Sequence, residues 1–115
     1  MARILIVEDT APIRWLLRRV LEEDGHTVVE AADGKEGWRL WQMSTPDLTI
    51  TDIDMPGISG LEFIRMIRAH RPDSKILVLS AQLDAAQATM LVDPISFLPK
   101  PFELLELRRQ VPRCA

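Results

Sequence analysis

Short apolar runs alternate with helix-periodic stretches five times along this chain, and few folds accept that pattern. The apolar runs fall at residues 3–7, 27–31, 48–51, 75–79 and 95–98. The stretches between them carry a helical period. Ile13, Leu16, Leu17, Val20 and Leu21 follow the spacing of one buried helix face. Pro12 suits the first turn of that helix, and Gly25 suits its end. Asp33-Gly34 opens a second helix carrying Trp38, Leu40 and Trp41. Ser59 caps a third, with Glu62 as capping-box partner, which buries Leu61, Ile64 and Ile67. Asp84 caps a short fourth helix, and Leu104, Leu105 and Val111 mark a fifth.

Such alternation predicts an α/β domain, a parallel sheet with helices on both faces. Crossovers in such a sheet are right-handed. The natural solution is a five-stranded sheet of order 2-1-3-4-5 with five helices, a flavodoxin-like arrangement. Pro99 agrees, because proline is confined largely to edge strands and the fifth strand is an edge in that order. No linker or repeat interrupts the pattern, so residues 1–115 read as one domain.

Composition narrows the function classes. Apolar content of 47% and charged content of 27% are those of an ordinary globular domain. A net charge of −3 gives no general attraction to nucleic acid, and direct nucleic-acid binding is not expected. No apolar run approaches the ~20 residues that span a bilayer, so no membrane partner is expected. Met1-Ala2-Arg3-Ile4 leads straight into the first strand pattern, which reads as lacking a secretory leader. The sole cysteine, Cys114, leaves no internal disulfide and no cysteine metal cage, and fits a cytoplasmic setting.

Topology decides where the chemistry goes. Open α/β sheets bind ligands beyond the carboxyl ends of their strands at the switch point, here between strands 1 and 3. Asp52 closes strand 3, ahead of Ile53-Asp54-Met55-Pro56-Gly57. Glu8 and Asp9 close strand 1. Like charges about 4 Å apart repel by roughly 4 kcal/mol at an effective dielectric of about 20. Three converging acids therefore call for a cation, and an all-oxygen site suits Mg²⁺. Strand 4 ends at Ser80-Ala81, and strand 5 runs into Lys100, a compact point charge. The set suits phosphoryl transfer onto a carboxylate, with Asp52 as nucleophile. Mg²⁺ and Lys100 then neutralise phosphoryl charge, and the Ser80 hydroxyl donates to a phosphoryl oxygen.

These pieces resemble the receiver domain of two-component response regulators, the single-domain chemotaxis type included. The matching residues are Ile6-Val7-Glu8-Asp9, Pro46-Asp47-Leu48 leading to Asp52-Ile53-Asp54-Met55-Pro56-Gly57, Ser59-Gly60-Leu61-Glu62, Ser80-Ala81, and Phe97-Leu98-Pro99-Lys100-Pro101-Phe102. They run in the family's order over essentially the whole chain. The resemblance implies that Asp52 accepts a phosphoryl group from a histidine kinase or a histidine phosphotransfer protein. It implies that Asp9 and Asp52 bind Mg²⁺ together with the main-chain carbonyl of Asp54, with Glu8 just outside the direct ligands. Ser80 becomes the switch hydroxyl, Phe97 the switch aromatic and Lys100 the phosphate-contacting lysine. Lys100-Pro101 is a candidate cis bond. The face built from the fourth helix, fifth strand and fifth helix then signals to a downstream target, and a homodimer could use the same face. Only self-phosphorylation and autodephosphorylation are implied, not conventional enzyme turnover.

The chain also departs from the family. Glu8 stands where aspartate is commoner, and Asp54 adds a fourth acid expected to alter phosphoryl lifetime. The stretch from Ser80 to Lys100 is slightly short, and Asp93-Pro94 replaces a small Gly-Ala pair. Two other functions fit parts of the pattern: a pseudo-receiver that binds without phosphorylation, and an aspartate-nucleophile phosphatase. Asp52-Ile53-Asp54 resembles the Asp-x-Asp core of haloacid-dehalogenase-type phosphatases, but those place it on their first strand. Trp15, Trp38 and Trp41 read as packing or surface aromatics, and His26 and His70 as surface residues. Arg14, Arg18 and Arg19 read as a solvated helix face, with docking to a kinase as the alternative. No output domain follows the fifth helix, which fits either a stand-alone receiver or a piece cut from a larger regulator.

Overall fold

The computed structural model describes residues 2–53, 55, 57–80 and 95–114. Strands β1 (Arg3–Val7), β2 (Thr27–Ala31), β3 (Leu48–Asp52), β4 (Ile76–Ser80) and β5 (Ile95–Pro99) form one parallel sheet of order β2-β1-β3-β4-β5. Helices α1 (Ala11–Glu23), α2 (Gly34–Ser44) and α3 (Gly60–His70) connect the strands, and α4 (Leu104–Cys114) follows β5. Helix α4 is the expected fifth helix. The expected fourth, with Asp84 as its cap, falls at residues 81–94, outside the described residues, as does Asp93-Pro94.

Local chemistry sets the helix ends. Proline stands at the start of α1, where its missing N–H is no loss. The chain leaves α1 through Gly25 at φ 91°, a left-handed conformation that favours glycine. The Asp33 side chain caps α2 by accepting from the Glu36 N–H at 2.8 Å, and Ser59 caps α3 by accepting from the Glu62 N–H at 3.2 Å.

Successive strand residues face opposite sides of the sheet, so each strand feeds two cores. On one side, Ile4, Ile6, Leu48, Ile50, Leu77 and Leu79 pack with Leu17, Val20 and Leu21 of α1 and Leu107 and Val111 of α4. On the other, Leu5, Val7, Ile76 and Val78 pack with Trp41 of α2 and Phe63, Ile64 and Ile67 of α3. Phe63 is fully buried although the expected stripe was Leu61, Ile64 and Ile67, and Leu61 is only half-buried. In α4 the inward pair is Leu107 and Val111, while Leu104 and Leu105 are exposed.

Strands β3 and β4 each run one residue further than the apolar pattern indicates. Asp52 thereby lies within the ladder, opposite Leu79, and Ser80 pairs with Pro99. Each of the two residues that carry the expected chemistry is thus held in register by one neighbouring strand, Asp52 by β4 and Ser80 by β5.

Candidate functional site

The β1–β3 ladder ends at the pair Val7 and Thr51, so Glu8 and Asp9 emerge beside Asp52 at the carboxyl edge. Each of these three carboxylates places an oxygen within 4.8 Å of the others. Their environments differ. Glu8 is fully buried, Asp52 is buried and Asp9 is exposed. Lys100 enters from the far edge of the sheet. Its N–H donates to the Ser80 carbonyl at 2.9 Å, which extends the β4–β5 ladder by one bond. Its ammonium donates to Glu8 Oε1, and to Asp52 Oδ2 at 2.9 Å. The Lys100-Pro101 peptide is cis, as the resemblance implies.

One lysine does not balance three acids. Burial pushes the Glu8 carboxyl up to about 7; the Lys100 hydrogen bond opposes that rise, and the Asp52 charge and Asp9 add to it. Burial also works against the Lys100 ammonium. Its hydrogen bonds to Glu8 and Asp52 outweigh that penalty and leave its pKa above the ordinary lysine value. Glu8 Oε2 is buried with no hydrogen-bond partner among the described residues. A buried carboxylate oxygen without a donor is costly, and a cation relieves it. An all-oxygen donor set with a spare buried oxygen fits a hard divalent ion such as Mg²⁺.

Backbone packing holds Asp52 from behind. The Gly60 N–H donates to the Ile53 carbonyl at 2.9 Å, and a Cβ on Gly60 would lie 2.1 Å from the Asp52 carbonyl oxygen. Only glycine lets α3 begin this close to the end of β3. Ser80 is fully buried at the end of the neighbouring strand. Phe97 contributes backbone to β5 opposite Val78, and its ring lies outside the described side chains. Asp54 also lies outside the described residues.

Some residues sit otherwise than the sequence pattern suggests. Arg14 is not a solvated arginine: it donates to the Glu8 main-chain oxygen at 2.7 Å and to Glu30 at 3.2 Å. No one-dimensional signal marks that contact, because helical periodicity does not say which strand end lies within reach. His26 is half-buried and accepts from the Ala2 N–H at 3.0 Å. His70 is exposed, as expected, and packs edge-on against Trp38. Trp38 stacks on the buried Trp41 with centroids 5.5 Å apart, the packing role expected of both tryptophans. Trp15 is exposed beneath the Arg19 guanidinium. Among the described residues no helix is long and apolar enough to cross a membrane.

A doubly wound α/β domain with an acidic, lysine-braced pocket at its switch point is a well-defined class of protein. Residues 4–112 match the response regulator receiver domain, and the chain belongs to that family of two-component signalling domains. It is 39% identical over 107 residues to the response regulator MprA of Mycolicibacterium vanbaalenii, a match covering 91% of this chain and 46% of that protein. The chain thus spans about half the length of the curated relatives it matches first. Chemotaxis protein CheY4 of Vibrio cholerae superposes with a TM-score of 0.90 at 28% identity, covering 100% of this chain and 99% of that one. Response regulator TrrA of Thermotoga maritima, solved in complex with Mg²⁺-BeF, superposes with a TM-score of 0.86 at 36% identity, covering 100% of both chains.

Proposed function

We propose that this domain is a phosphorylatable switch in the cytoplasm, with Asp52 accepting a phosphoryl group from a histidine kinase or histidine phosphotransfer protein. The observation that carries this reading is the convergence of Glu8, Asp9 and Asp52 on one spot with Lys100 bonded to Asp52. A carboxylate held at a strand end, with a cation ready to take up phosphoryl charge, is equipped for nucleophilic attack on phosphorus.

Asp9 and Asp52 would hold Mg²⁺, with the Asp54 main-chain carbonyl as a further ligand and Glu8 just outside. When bound, that ion neutralises charge on the phosphoryl oxygens. Lys100 keeps Asp52 oriented before transfer and shifts its ammonium toward the phosphoryl oxygens afterwards. Ser80 donates its hydroxyl to one of those oxygens, and Phe97 moves into the space it leaves. A phosphoryl group adds about −1.5 to −2 charges and new acceptors, enough to bias such a two-state element. The face containing β5 and α4 then signals to a downstream partner or a second copy of the domain.

The test is intact-mass measurement after incubation with Mg²⁺ and acetyl phosphate. The expected product carries one acid-stable, base-labile phosphoryl group, absent in Asp52→Ala. No adduct on the wild-type protein, or one that persists in Asp52→Ala, rules out this reading and leaves a binding module of the same fold. Rapid multiple turnover of small phosphate esters would instead favour an aspartate-nucleophile phosphatase.

A further inference from the structure

We propose that Arg14 is a positioning residue for the acidic site: its guanidinium, anchored on Glu30, holds the Glu8-Asp9 turn in the shape that gathers the carboxylates. The inference rests on the Mg²⁺ site proposed above and deepens it. Beyond Val7 the ladders of β1 with β2 and with β3 both stop, and among the described residues no strand N–H donates to the Glu8 carbonyl. Arg14 Nη1 supplies the donor at 2.7 Å. The Glu8 N–H already donates to the Ala31 carbonyl of β2 at 3.1 Å. Glu30, the neighbour of Ala31, accepts from Arg14 Nε at 3.2 Å, and its other oxygen accepts from Arg18 at 3.0 Å. Both polar groups of the Glu8 main chain are therefore tied to β2, one directly and one through Arg14. The Arg14 main-chain N–H donates to the Thr10 carbonyl at 3.0 Å, which sets the arginine in the first turn of α1, just after Glu8-Asp9.

The position of this arginine gives the contact weight. The Arg14 side chain is 19% exposed, against 44% for Arg18, so its charge-assisted bond is less screened than a surface pair. Arg14 bonds the main chain of Glu8 and not its carboxylate, so it does not itself occupy a carboxylate oxygen of the cluster. Mg²⁺ demands near-ideal geometry, and a small drift of Glu8-Asp9 degrades the whole set.

The experiment measures Mg²⁺ affinity of the full chain by calorimetry, at a temperature where circular dichroism shows every variant folded. Arg14→Met is expected to weaken Mg²⁺ binding roughly tenfold, the scale of lost ligand support. Arg14→Lys, which keeps one donor for the Glu8 carbonyl, recovers part of that loss. Arg18→Ala removes the other arm on Glu30 without touching Glu8, and should stay within about twofold of wild type, as for an exposed pair. A second reading is the thermal midpoint in EDTA. Both arginine truncations lower it, but only Arg14→Met also shrinks the rise produced by adding Mg²⁺. If Arg14→Met does not fold, Arg14→Gln and Arg14→Lys carry the same comparison. Wild-type affinity in the Arg14 variants overturns the proposal, as does an equal loss in Arg18→Ala. A wild-type protein that binds no Mg²⁺ overturns the underlying site itself, and this inference with it.

Discussion

The two edges of the sheet use the same residue types to opposite ends. At the amino edge, Asp47 Oδ2 accepts from the Arg3 N–H at 2.8 Å, and the Asp47 N–H donates to the Arg3 carbonyl at 2.8 Å. His26 accepts from the Ala2 N–H, and the Thr27 N–H donates to the Ala2 carbonyl. Each of these two side chains completes a backbone bond. At the carboxyl edge, three acids crowd within 4.8 Å around one lysine, and Glu8 keeps a buried oxygen without a partner among the described residues. An acid that meets a backbone N–H stabilises the fold, whereas acids that meet one another store repulsion. Repulsion of that kind is what a cation or a transferred group can relieve.

The contrast is broken hardest by moving the carboxyl edge mechanically. Gly60→Ala drives a methyl into the Asp52 main chain, whose carbonyl would lie 2.1 Å away. Backbone on both sides cannot yield as a flexible side chain would. A loss of about 3 kcal/mol in unfolding free energy is expected, the upper range for overpacking. Chemical denaturation measures it. A loss below about 0.5 kcal/mol, as at an ordinary surface site, would show that α3 is not held against the end of β3 as described.

Removing charge at the same edge tests function with little effect on the fold. Asp9 is exposed and serves no backbone bond among those described, so Asp9→Ala should not lower stability in EDTA. Mg²⁺ affinity should fall tenfold or more, equivalent to at least about 1.4 kcal/mol. Unchanged affinity by calorimetry would refute Asp9 as a ligand.

Sequence pattern reaches the two edges unequally. Strand order and helix caps follow from periodicity and from residues such as Asp33, Ser59 and Gly25, whose roles are local. Asp52, Asp9 and Lys100 are legible because strand ends of an open parallel sheet share one crevice. Arg14, His26 and Gly60 are not, because their roles depend on which backbone atom lies within a few ångströms across the fold. Phe63 escapes for a related reason. The stripe at 61, 64 and 67 already satisfies a helical period, and only packing on β1 and α2 shows that 63 is inside. The fourth helix, Asp54 and the ring of Phe97 lie outside the described residues.

Proton linkage gives a subtler reading of the carboxyl edge. The folded Glu8 carboxyl titrates near 7, above the ordinary 4.5. Between those values the folded state binds more protons than the unfolded state, so stability falls as pH rises. Glu8's favourable contribution is complete below about 4.5 and is lost as pH passes through about 7. In EDTA, the thermal midpoint of wild type should drop across this window relative to Glu8→Gln, which removes the titrating group. Mg²⁺ favours the ionised carboxylate, so affinity should rise over the same window in wild type. A wild-type midpoint that climbs relative to Glu8→Gln would reverse the sign and remove the case for a destabilised Glu8.

The smallest expected effect belongs to the amino edge, where it completes the contrast. Asp47→Ala removes one hydrogen bond to the Arg3 N–H. The site is exposed, so water replaces the lost acceptor, and the cost should be about 0.5–1 kcal/mol. Mg²⁺ affinity should not change, because the strands separate Asp47 from Asp52 by the length of β3. The signs therefore oppose each other. Removing an acid at the amino edge lowers stability and leaves Mg²⁺ binding alone, while removing Asp9 at the carboxyl edge spares stability and weakens Mg²⁺ binding. A change of Mg²⁺ affinity in Asp47→Ala would mean that the edges are coupled through the strands. The carboxyl edge could then no longer be treated as a site that stores its own repulsion.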